Sequence, residues 1–154
     1  MLATELSWAT EADFEDVSRL GRLMHAESSY SQLAFSEDRL RQIFDVYTKD
    51  ARRALILGRV NGEACGLYAG YITPYYFSNE LVANDIAWFV VKERRGTSLG
   101  LRLLTAFEKW SKDQGASEIR VGYSTDINPT AFDSLMLKRG YSRVGGNYRL
   151  ERPK

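Results

Sequence analysis

Cysteine and histidine are scarce in this chain of 154 residues. The single cysteine, Cys65, excludes a disulfide within the chain, and its apolar neighbours favour a buried core residue over a nucleophile. The single histidine, His25, argues against a multi-histidine metal site, and we favour a capping or solvated role over that of a lone general base. We therefore predict no metal site, and a reducing compartment, the cytosol, for this protein.

Net charge and long apolar runs are lacking as well. Lys and Arg number 21 and Asp and Glu 20, so the net charge of +1 creates no field that would favour nucleic acid or an anionic membrane. No run reaches the ~18 apolar residues of a membrane-spanning helix, and the N-terminal residues lack the basic flank and apolar core of a signal peptide. We expect residues 1–154 to form a single domain that binds neither nucleic acid nor membrane.

A predicted strand, a loop of small residues and a predicted helix follow one another in the middle of the chain. The apolar run at 86–91 has no polar alternation, which predicts a strand buried on both faces. After a charged turn, apolar residues recur at helical spacing from Leu99 until Gly115. Free backbone N–H groups at a helix start attract anions, and Arg94 and Arg95 add positive charge. The expected ligand is a phosphate or a pyrophosphate.

Three kinds of phosphate loop can be compared with this segment. A Walker A loop needs Gly-Lys-Ser/Thr, which does not occur here, and a dinucleotide fingerprint needs a glycine spacing that Gly96 and Gly100 do not have. The segment Arg95–Gly100, RGTSLG, resembles the Arg/Gln-x-x-Gly-x-Gly/Ala loop of the GNAT acetyltransferases. Ser98 stands where that family has its first glycine. A serine keeps a close backbone approach unless the position needs a positive φ.

The remaining patterns extend this resemblance over nearly the whole chain. In chain order they predict a strand at 6–9, helices that start after Thr10 or Asp13 and after Ser36, an Asn61-Gly62 hairpin of strands 54–60 and 64–73, the central unit, a strand at 118–123, a helix at 128–137 and a closing hairpin of 141–144 and 147–150. The segments NPTA at 128–131 and KRGY at 138–141 also resemble family motifs. The resemblance implies an α/β (α+β) fold, with a mixed central sheet flanked by helices.

The resemblance also implies an activity, the acetyl-CoA-dependent N-acetylation of a small-molecule or protein amine by direct attack. The loop Arg95–Leu101 would wrap the pyrophosphate, and the backbone of Phe89–Val91 would pair with the pantetheine. The N–H near Val90 would polarise the acetyl carbonyl. The implied cofactor-binding residues are Phe89, Val90, Val91, Arg95, Gly96, Thr97, Ser98, Leu99, Gly100, Leu101, Asn128 and Ala131.

The general acid is not settled by the resemblance. The position at which the family holds a proton-donating tyrosine falls on Met136, or on Leu135 when counted from the NPTA segment. Neither side chain can donate a proton. Tyr123 and Tyr141 are possible substitutes by proximity, and we select Tyr123.

The general base is equally open. The family often places a carboxylate near the start of the central strand, and two residues of this chain are candidates. Glu80 and Asp85 occupy that region. Asp85 lies within an apolar strand, where an unpartnered carboxylate would be costly, so it is the better candidate for a tuned group. A hydrogen-bonded structural role for Asp85 stays an alternative.

Two other functions compete with N-acetylation by acetyl-CoA. One is a non-catalytic acyl-CoA-binding or interaction domain that retains the fold, and the other is transfer of a longer acyl chain. We expect acceptor specificity to come from the loops at 28–32 and 75–78. A homodimer is possible.

Overall fold

The computed structural model describes residues 2–124 and 127–154 of the chain. Within these residues five strands form one sheet in the order β1-β2-β3-β4-β5, in which neighbours are antiparallel except for the parallel pair β4 and β5. The elements are β1 (Thr4–Trp8), α1 (Phe14–Glu27), α2 (Glu37–Tyr47), β2 (Arg53–Val60), β3 (Glu63–Pro74), β4 (Leu81–Val90), α3 (Leu99–Asp113), β5 (Ala116–Arg120) and α4 (Pro129–Lys138). This mixed sheet flanked by helices confirms the expected fold class.

Local sequence signals set several of the element ends, as predicted. Asn61 and Gly62 have φ angles of 49° and 84°, the two positive values that a tight hairpin turn requires. The Ser36 hydroxyl accepts a hydrogen bond from the Arg39 N–H at 3.1 Å and so caps α2. Gly115 has a φ of 83° and ends α3. Each of these signals depends only on residues close by in the sequence.

Glycines on the sheet allow α3 to approach it closely. A Cβ atom on Gly58 would lie 2.5 Å from a Leu99 side-chain carbon, and one on Gly70 would lie 2.4 Å from the Phe107 ring and 2.6 Å from the Asn84 carbonyl oxygen. These approaches are shorter than van der Waals contact, so only glycine fits. The sheet face under α3 therefore fixes the position of this helix relative to β4.

Helices α1 and α2 pack on each other and contact β3 and β2. Because successive strand residues point to opposite faces, these two helices take the sheet face that α3 leaves uncovered. The rings of Phe14 and Phe44 meet edge to face at 5.3 Å, and the Arg19 guanidinium donates to the Ala64 carbonyl at 2.6 Å. Among the described helices, none is both long and apolar enough to span a bilayer.

The expectation that the central strand is buried on both faces is wrong for its second half. Gly70 faces Asp85 and Ala69 faces Ala87, so Ile86 is an extra residue in a β-bulge, and its side chain is 49% exposed. On its other side β4 pairs with β5 only as far as Asn84, because β5 ends at Arg120, before the predicted end at 123. The edge of β4 from Asp85 onward is therefore open.

The predicted closing hairpin at 141–144 and 147–150 does not form, since residues 139–154 contain no strand. Side-chain contacts hold this segment instead. The Arg149 guanidinium donates to the carbonyl and the hydroxyl of Ser29 at 2.8 and 2.9 Å, and lies 4.4 Å from the centre of the Tyr30 ring. An alternating pattern produces a strand only where a partner strand is available, and in this fold the segment is anchored to the α1–α2 connection.

The close approach of α3 to the glycines of the sheet gives a prediction for stability. Gly70→Ala should lower the free energy of unfolding by about 2–3 kcal/mol, since the new methyl group would overlap the Phe107 ring and a backbone oxygen. Gly146→Ala is the matched control, because a Cβ there meets no atom within 4 Å. Urea unfolding of the two variants measures the difference. Equal stability would show that α3 is not held against the sheet by this contact.

Candidate functional site

A cavity of about 720 Å³ opens where β4 and β5 separate. Its walls come from the open half of β4, the residues after β5, the start of α3, α4, and the connection between α1 and α2. Pockets of 300–1,000 Å³ are typical of small-molecule and cofactor sites. The cavity brings residues far apart in the sequence to one place.

The loop before α3 forms one end of this cavity and has the geometry of an anion site. Gly96 has a φ of 79°, and the first backbone bond of the helical type runs from the Arg102 N–H to the Ser98 carbonyl at 2.9 Å. The N–H groups of Gly100 and Leu101, in the first turn, therefore have no acceptor within the helix. Ser98 has a φ of −71°, which any residue adopts, so the serine in place of glycine is not strained.

The two arginines beside the loop differ in their partners. Arg95 is held in place: its Nε donates to the Val90 carbonyl at 3.0 Å, its Nη2 pairs with the Glu27 carboxylate at 2.5 Å, and its guanidinium lies over the Phe89 ring. Arg94 lines the cavity and makes no ion pair with any other described residue. Arg94 is thus the cation at this loop that is available to a ligand.

The end of β4 presents a backbone donor to the cavity. The Val91 N–H donates to the Cys65 carbonyl of β3 at 2.8 Å. Because N–H groups alternate in direction along a strand, the Val90 N–H points away from β3, toward the open edge. The side chains of Phe89 and Val91 are only 3% and 8% exposed and belong to the core. Only the backbone of this segment is offered to a ligand.

Trp88 is a residue of the site that the sequence did not reveal. Its indole N–H donates to the Gly100 carbonyl at 3.2 Å and so ties β4 to the first turn of α3. Its ring also lies 6.2 Å from that of Phe132 on α4. In the sequence Trp88 is one of six consecutive apolar residues, and nothing there distinguishes it from a core residue.

Asp85 lies in the cavity at the point where the two parallel strands separate. Its Oδ1 accepts a hydrogen bond from the Gly122 N–H at 2.8 Å. Burial raises the pKa of the Asp85 carboxyl to about 6, although the N–H groups of Gly122 and of Asp85 itself act to lower it. A carboxyl group with a pKa near neutrality can both hold and release a proton at physiological pH.

The start of α4 forms another part of the cavity wall. Asn128 is the N-cap of this helix, with a φ of 62°, and its side-chain oxygen accepts from the Ala131 N–H at 3.3 Å. This capping bond accounts for the Asn-x-x-Ala spacing in the sequence. Both residues line the cavity, as does Tyr123, whose ring stacks on Phe132 at 4.7 Å.

Several candidate residues from the sequence lie outside the cavity. Glu80 accepts a hydrogen bond from Ser117 at 3.2 Å, and the Tyr141 hydroxyl donates to Glu108 at 2.9 Å. The aromatic loop at 75–78 was expected to contribute to acceptor specificity, but it does not line this cavity. The loop precedes β4 and therefore lies at the opposite end of the strand from the cavity.

The other residues considered in the sequence analysis lie as follows. Ser28 and Tyr30 line the cavity, so the loop at 28–32 does reach the site. Leu135 lines the cavity while Met136 is 7% exposed in the core, and neither supplies a proton donor. His25 also lines the cavity, where its Nε2 bonds to the Leu33 carbonyl at 2.5 Å. Across residues 2–124 and 127–154, no cluster of three His, Cys, Asp or Glu side chains is placed to hold a metal ion.

Known structures share this fold over almost their whole length. A structure of the aminoglycoside acetyltransferase AAC(6′)-Iy in complex with the bisubstrate analogue CoA-S-monomethyl-acetylneamine superimposes with a TM-score of 0.78 at 14% identity, covering 99% of each chain. A ribosomal-protein-alanine N-acetyltransferase from Brucella melitensis gives a TM-score of 0.73 at 14% identity, covering 98% of this chain and 100% of the other. At such low identities these similarities show the fold alone.

Two sequence comparisons are more specific. The chain is 31% identical over 102 residues to an aminoglycoside N(6′)-acetyltransferase type 1 from Klebsiella aerogenes, a match that covers 62% of this chain and 64% of the relative's length. The model of the Acetyltransferase (GNAT) family matches residues 20–141. That range includes the loop before α3, the open half of β4 and the start of α4, and it takes in most of the chain. This protein therefore belongs to the GNAT acetyltransferase family.

Proposed function

We propose that this protein transfers an acetyl group from acetyl-CoA to the primary amine of a small molecule. One observation carries the proposal: an anion loop at a helix start, an open strand edge and a buried carboxylate with a raised pKa face the same cavity. Membership of the GNAT family and the relative named an aminoglycoside N(6′)-acetyltransferase both support it. Residues 1–154 act as one domain in this proposal, and the contiguous hydrophobic core of the described residues supports that reading.

The cofactor would lie along the separation between β4 and β5. The N–H groups at the start of α3 and the Arg94 guanidinium would bind the pyrophosphate, because both supply positive potential at one end of the cavity. Arg95 would join them by exchanging Glu27 for a phosphate. The open edge of β4 would hydrogen-bond to the pantetheine as a neighbouring strand does. Asn128 and Ala131, across the cavity, would border the pantetheine and the sulfur.

The transfer itself would need little covalent chemistry from the protein. The amine nitrogen attacks the thioester carbonyl carbon, the C–S bond breaks, and the coenzyme leaves as a thiolate. The Val90 N–H would stabilise the negative charge that develops on the carbonyl oxygen. Asp85 would accept the proton that the amine loses. Tyr123, in the same cavity, is the candidate donor of a proton to the thiolate.

A non-catalytic acyl-CoA-binding domain is the competing function, and Asp85 argues against it. Burying a carboxyl group destabilises the fold when the group ionises, and a domain that only binds acyl-CoA gains nothing from that cost. The cavity wall also includes Ser28 and Tyr30 of the α1–α2 connection, which would contact an acceptor. A cytosolic location and a homodimer stay predictions.

The cofactor site is tested by calorimetric titration of CoA into the wild type and Gly100→Glu. A Cβ at Gly100 would make only ordinary contacts, with Val90 at 3.5 Å, so the variant should fold. Its carboxylate would repel the pyrophosphate, and we expect CoA affinity to fall by about 100-fold or more. Gln114→Glu, which adds the same charge at the other end of α3, should bind as the wild type does. Equal affinity of the Gly100 variant would place CoA elsewhere.

Asp85→Asn tests the proposed base. The asparagine oxygen can still accept the Gly122 N–H, but the side chain can no longer take a proton. We expect kcat to fall by about 100-fold or more, and the wild-type kcat/KM to decline as the pH drops below about 6, where Asp85 becomes protonated. Asp113→Asn, on the exposed end of α3, should leave kcat and the pH dependence of kcat/KM unchanged. An active Asp85 variant would remove Asp85 from the mechanism.

Asp85→Asn should increase the stability of the folded protein at neutral pH, although it lowers the activity. Because the pKa of Asp85 is raised, the folded protein holds this proton more tightly than the unfolded chain, so its stability falls as the pH rises from about 4 through about 6. Raising the pKa from 3.8 to about 6 lowers the free energy of unfolding by about 3 kcal/mol once Asp85 is ionised. Asp85→Asn should therefore unfold at higher urea concentration than the wild type at pH 7.5, and at a similar one at pH 3.5. A destabilised variant at pH 7.5 would indicate a purely structural aspartate.

A further inference from the structure

Glu27 is the last residue of α1 and forms an ion pair with Arg95. Its carboxylate oxygen lies 2.5 Å from the Arg95 Nη2, and the two side chains are 30% and 32% exposed. Among the residues that the structure describes, Arg95 is the only cationic partner of Glu27. A carboxylate at a helix C-terminus is disfavoured by the helix dipole, and partial burial adds a desolvation cost. The charged form of Glu27 therefore depends on a counter-charge.

The ion pair connects the anion loop with the α1–α2 side of the cavity. Arg95 belongs to the loop before α3 and is also tied to β4, since its Nε donates to the Val90 carbonyl at 3.0 Å. On the other side His25 and Ser28, which flank Glu27 in the sequence, line the cavity. Glu27 does not line the cavity itself, but it contacts Arg95, which does. A movement of the Arg95 guanidinium away from Glu27 would therefore open the Glu27 carboxylate to the cavity.

Binding of a pyrophosphate at the loop would change the partner of Arg95. A pyrophosphate carries more negative charge than one carboxylate and suits the planar fork of a guanidinium, so it can draw Arg95 away from Glu27. Glu27 would then keep its negative charge in a partly buried place without the cation that had compensated it. Removing one partner of such a pair is costly, because the remaining charge has neither water nor a counter-ion around it. A positive charge that enters the cavity would remove that cost.

We propose that Glu27 binds an ammonium group of the acceptor, and that it becomes available for this contact when the cofactor takes Arg95 from it. This inference rests on the proposed function and adds an acceptor-binding residue to it, while Asp85 keeps the role of proton acceptor. Arg95 and Glu27, paired with each other in the free protein, would each take a ligand group of opposite charge. The two ligands would therefore assist each other's binding, by the same factor in both directions.

Calorimetric titration of the full chain with amines, each with and without saturating CoA, tests this coupling. The probes are phenethylamine, 1,5-diaminopentane and glucosamine, an aromatic monoamine, a diamine and an amino sugar. We expect the wild type to bind at least one of them at least about 5-fold more tightly when CoA is present, and CoA to gain the same factor from that amine. Equal affinity for every amine with and without CoA, undetectable binding included, would overturn the inference.

Glu27→Gln, which keeps the shape of the side chain and removes its charge, tests the cause of the coupling. Without a competing carboxylate on Arg95, CoA alone should bind at least about 3-fold more tightly than to the wild type. The gain that CoA gives to the amine should fall below about 2-fold. A damaged fold would weaken both ligands, so it cannot produce these opposite effects. Unchanged or weaker CoA binding, or an unchanged gain for the amine, would contradict the inference. Glu37→Gln is the control and should match the wild type, since Glu37 pairs with Arg22 at 2.7 Å and does not line the cavity.

Turnover of acetyl-CoA separates this inference from the proposed function. With an amine that is acetylated, we expect Glu27→Gln to raise the KM for the amine by about 5-fold or more and to change kcat by less than about 2-fold, since Glu27 binds the acceptor and moves no proton. An equal KM in the wild type and the variant would overturn the inference and leave acetyl transfer intact. Coupled binding of CoA and an amine with no consumption of acetyl-CoA would support the inference and contradict the proposed function alone.

Discussion

The separation of two parallel strands is the constraint on which the site depends. Strands β4 and β5 pair only as far as Asn84 and Arg120, and the bulge at Ile86 follows at once on the opposite edge of β4. Beyond that point β4 keeps β3 as a partner on one side and exposes its backbone on the other. A sheet edge left open inside a protein costs free energy unless a ligand or water satisfies it. The fold thus creates a place for a ligand that presents backbone-like hydrogen-bonding groups.

Packing under α3 places the anion loop at the end of that open edge. The glycines of β2 and β3 let the helix lie close to the sheet, and the indole of Trp88 ties its first turn to β4. Because protein cores resist deformation, the distance between the helix start and the Val90 N–H is set by this packing. Asp85 stands at the other end of the same edge. The start of α3, the Val90 N–H and Asp85 are therefore ordered along one strand.

Local signals in the sequence were sufficient for most of the fold. Asn61-Gly62, Ser36 and Gly115 act through neighbouring backbone atoms, so they predicted turns and caps without knowledge of tertiary structure. The prediction of a closing hairpin was wrong because strand formation depends on a distant partner strand. Arg149 of this segment instead contacts Ser29, 120 residues away in the sequence.

The site was predictable where a motif carries its own geometry, as in the loop 95–100, and was missed where contacts are long-range. Glu27 on Arg95 and Gly122 on Asp85 are such contacts. The exposure of Ile86 could not be read from an apolar run either, since it depends on where the neighbouring strand ends.

Hydrogen exchange at two adjacent amides, followed by NMR with and without CoA, tests most directly whether the open edge of β4 binds the cofactor. The Val91 amide already donates to Cys65 and serves as an internal control that is protected in both states. We predict that CoA slows exchange of the Val90 amide and of the amides at the start of α3. Saturating CoA that leaves the Val90 amide unprotected would contradict the account.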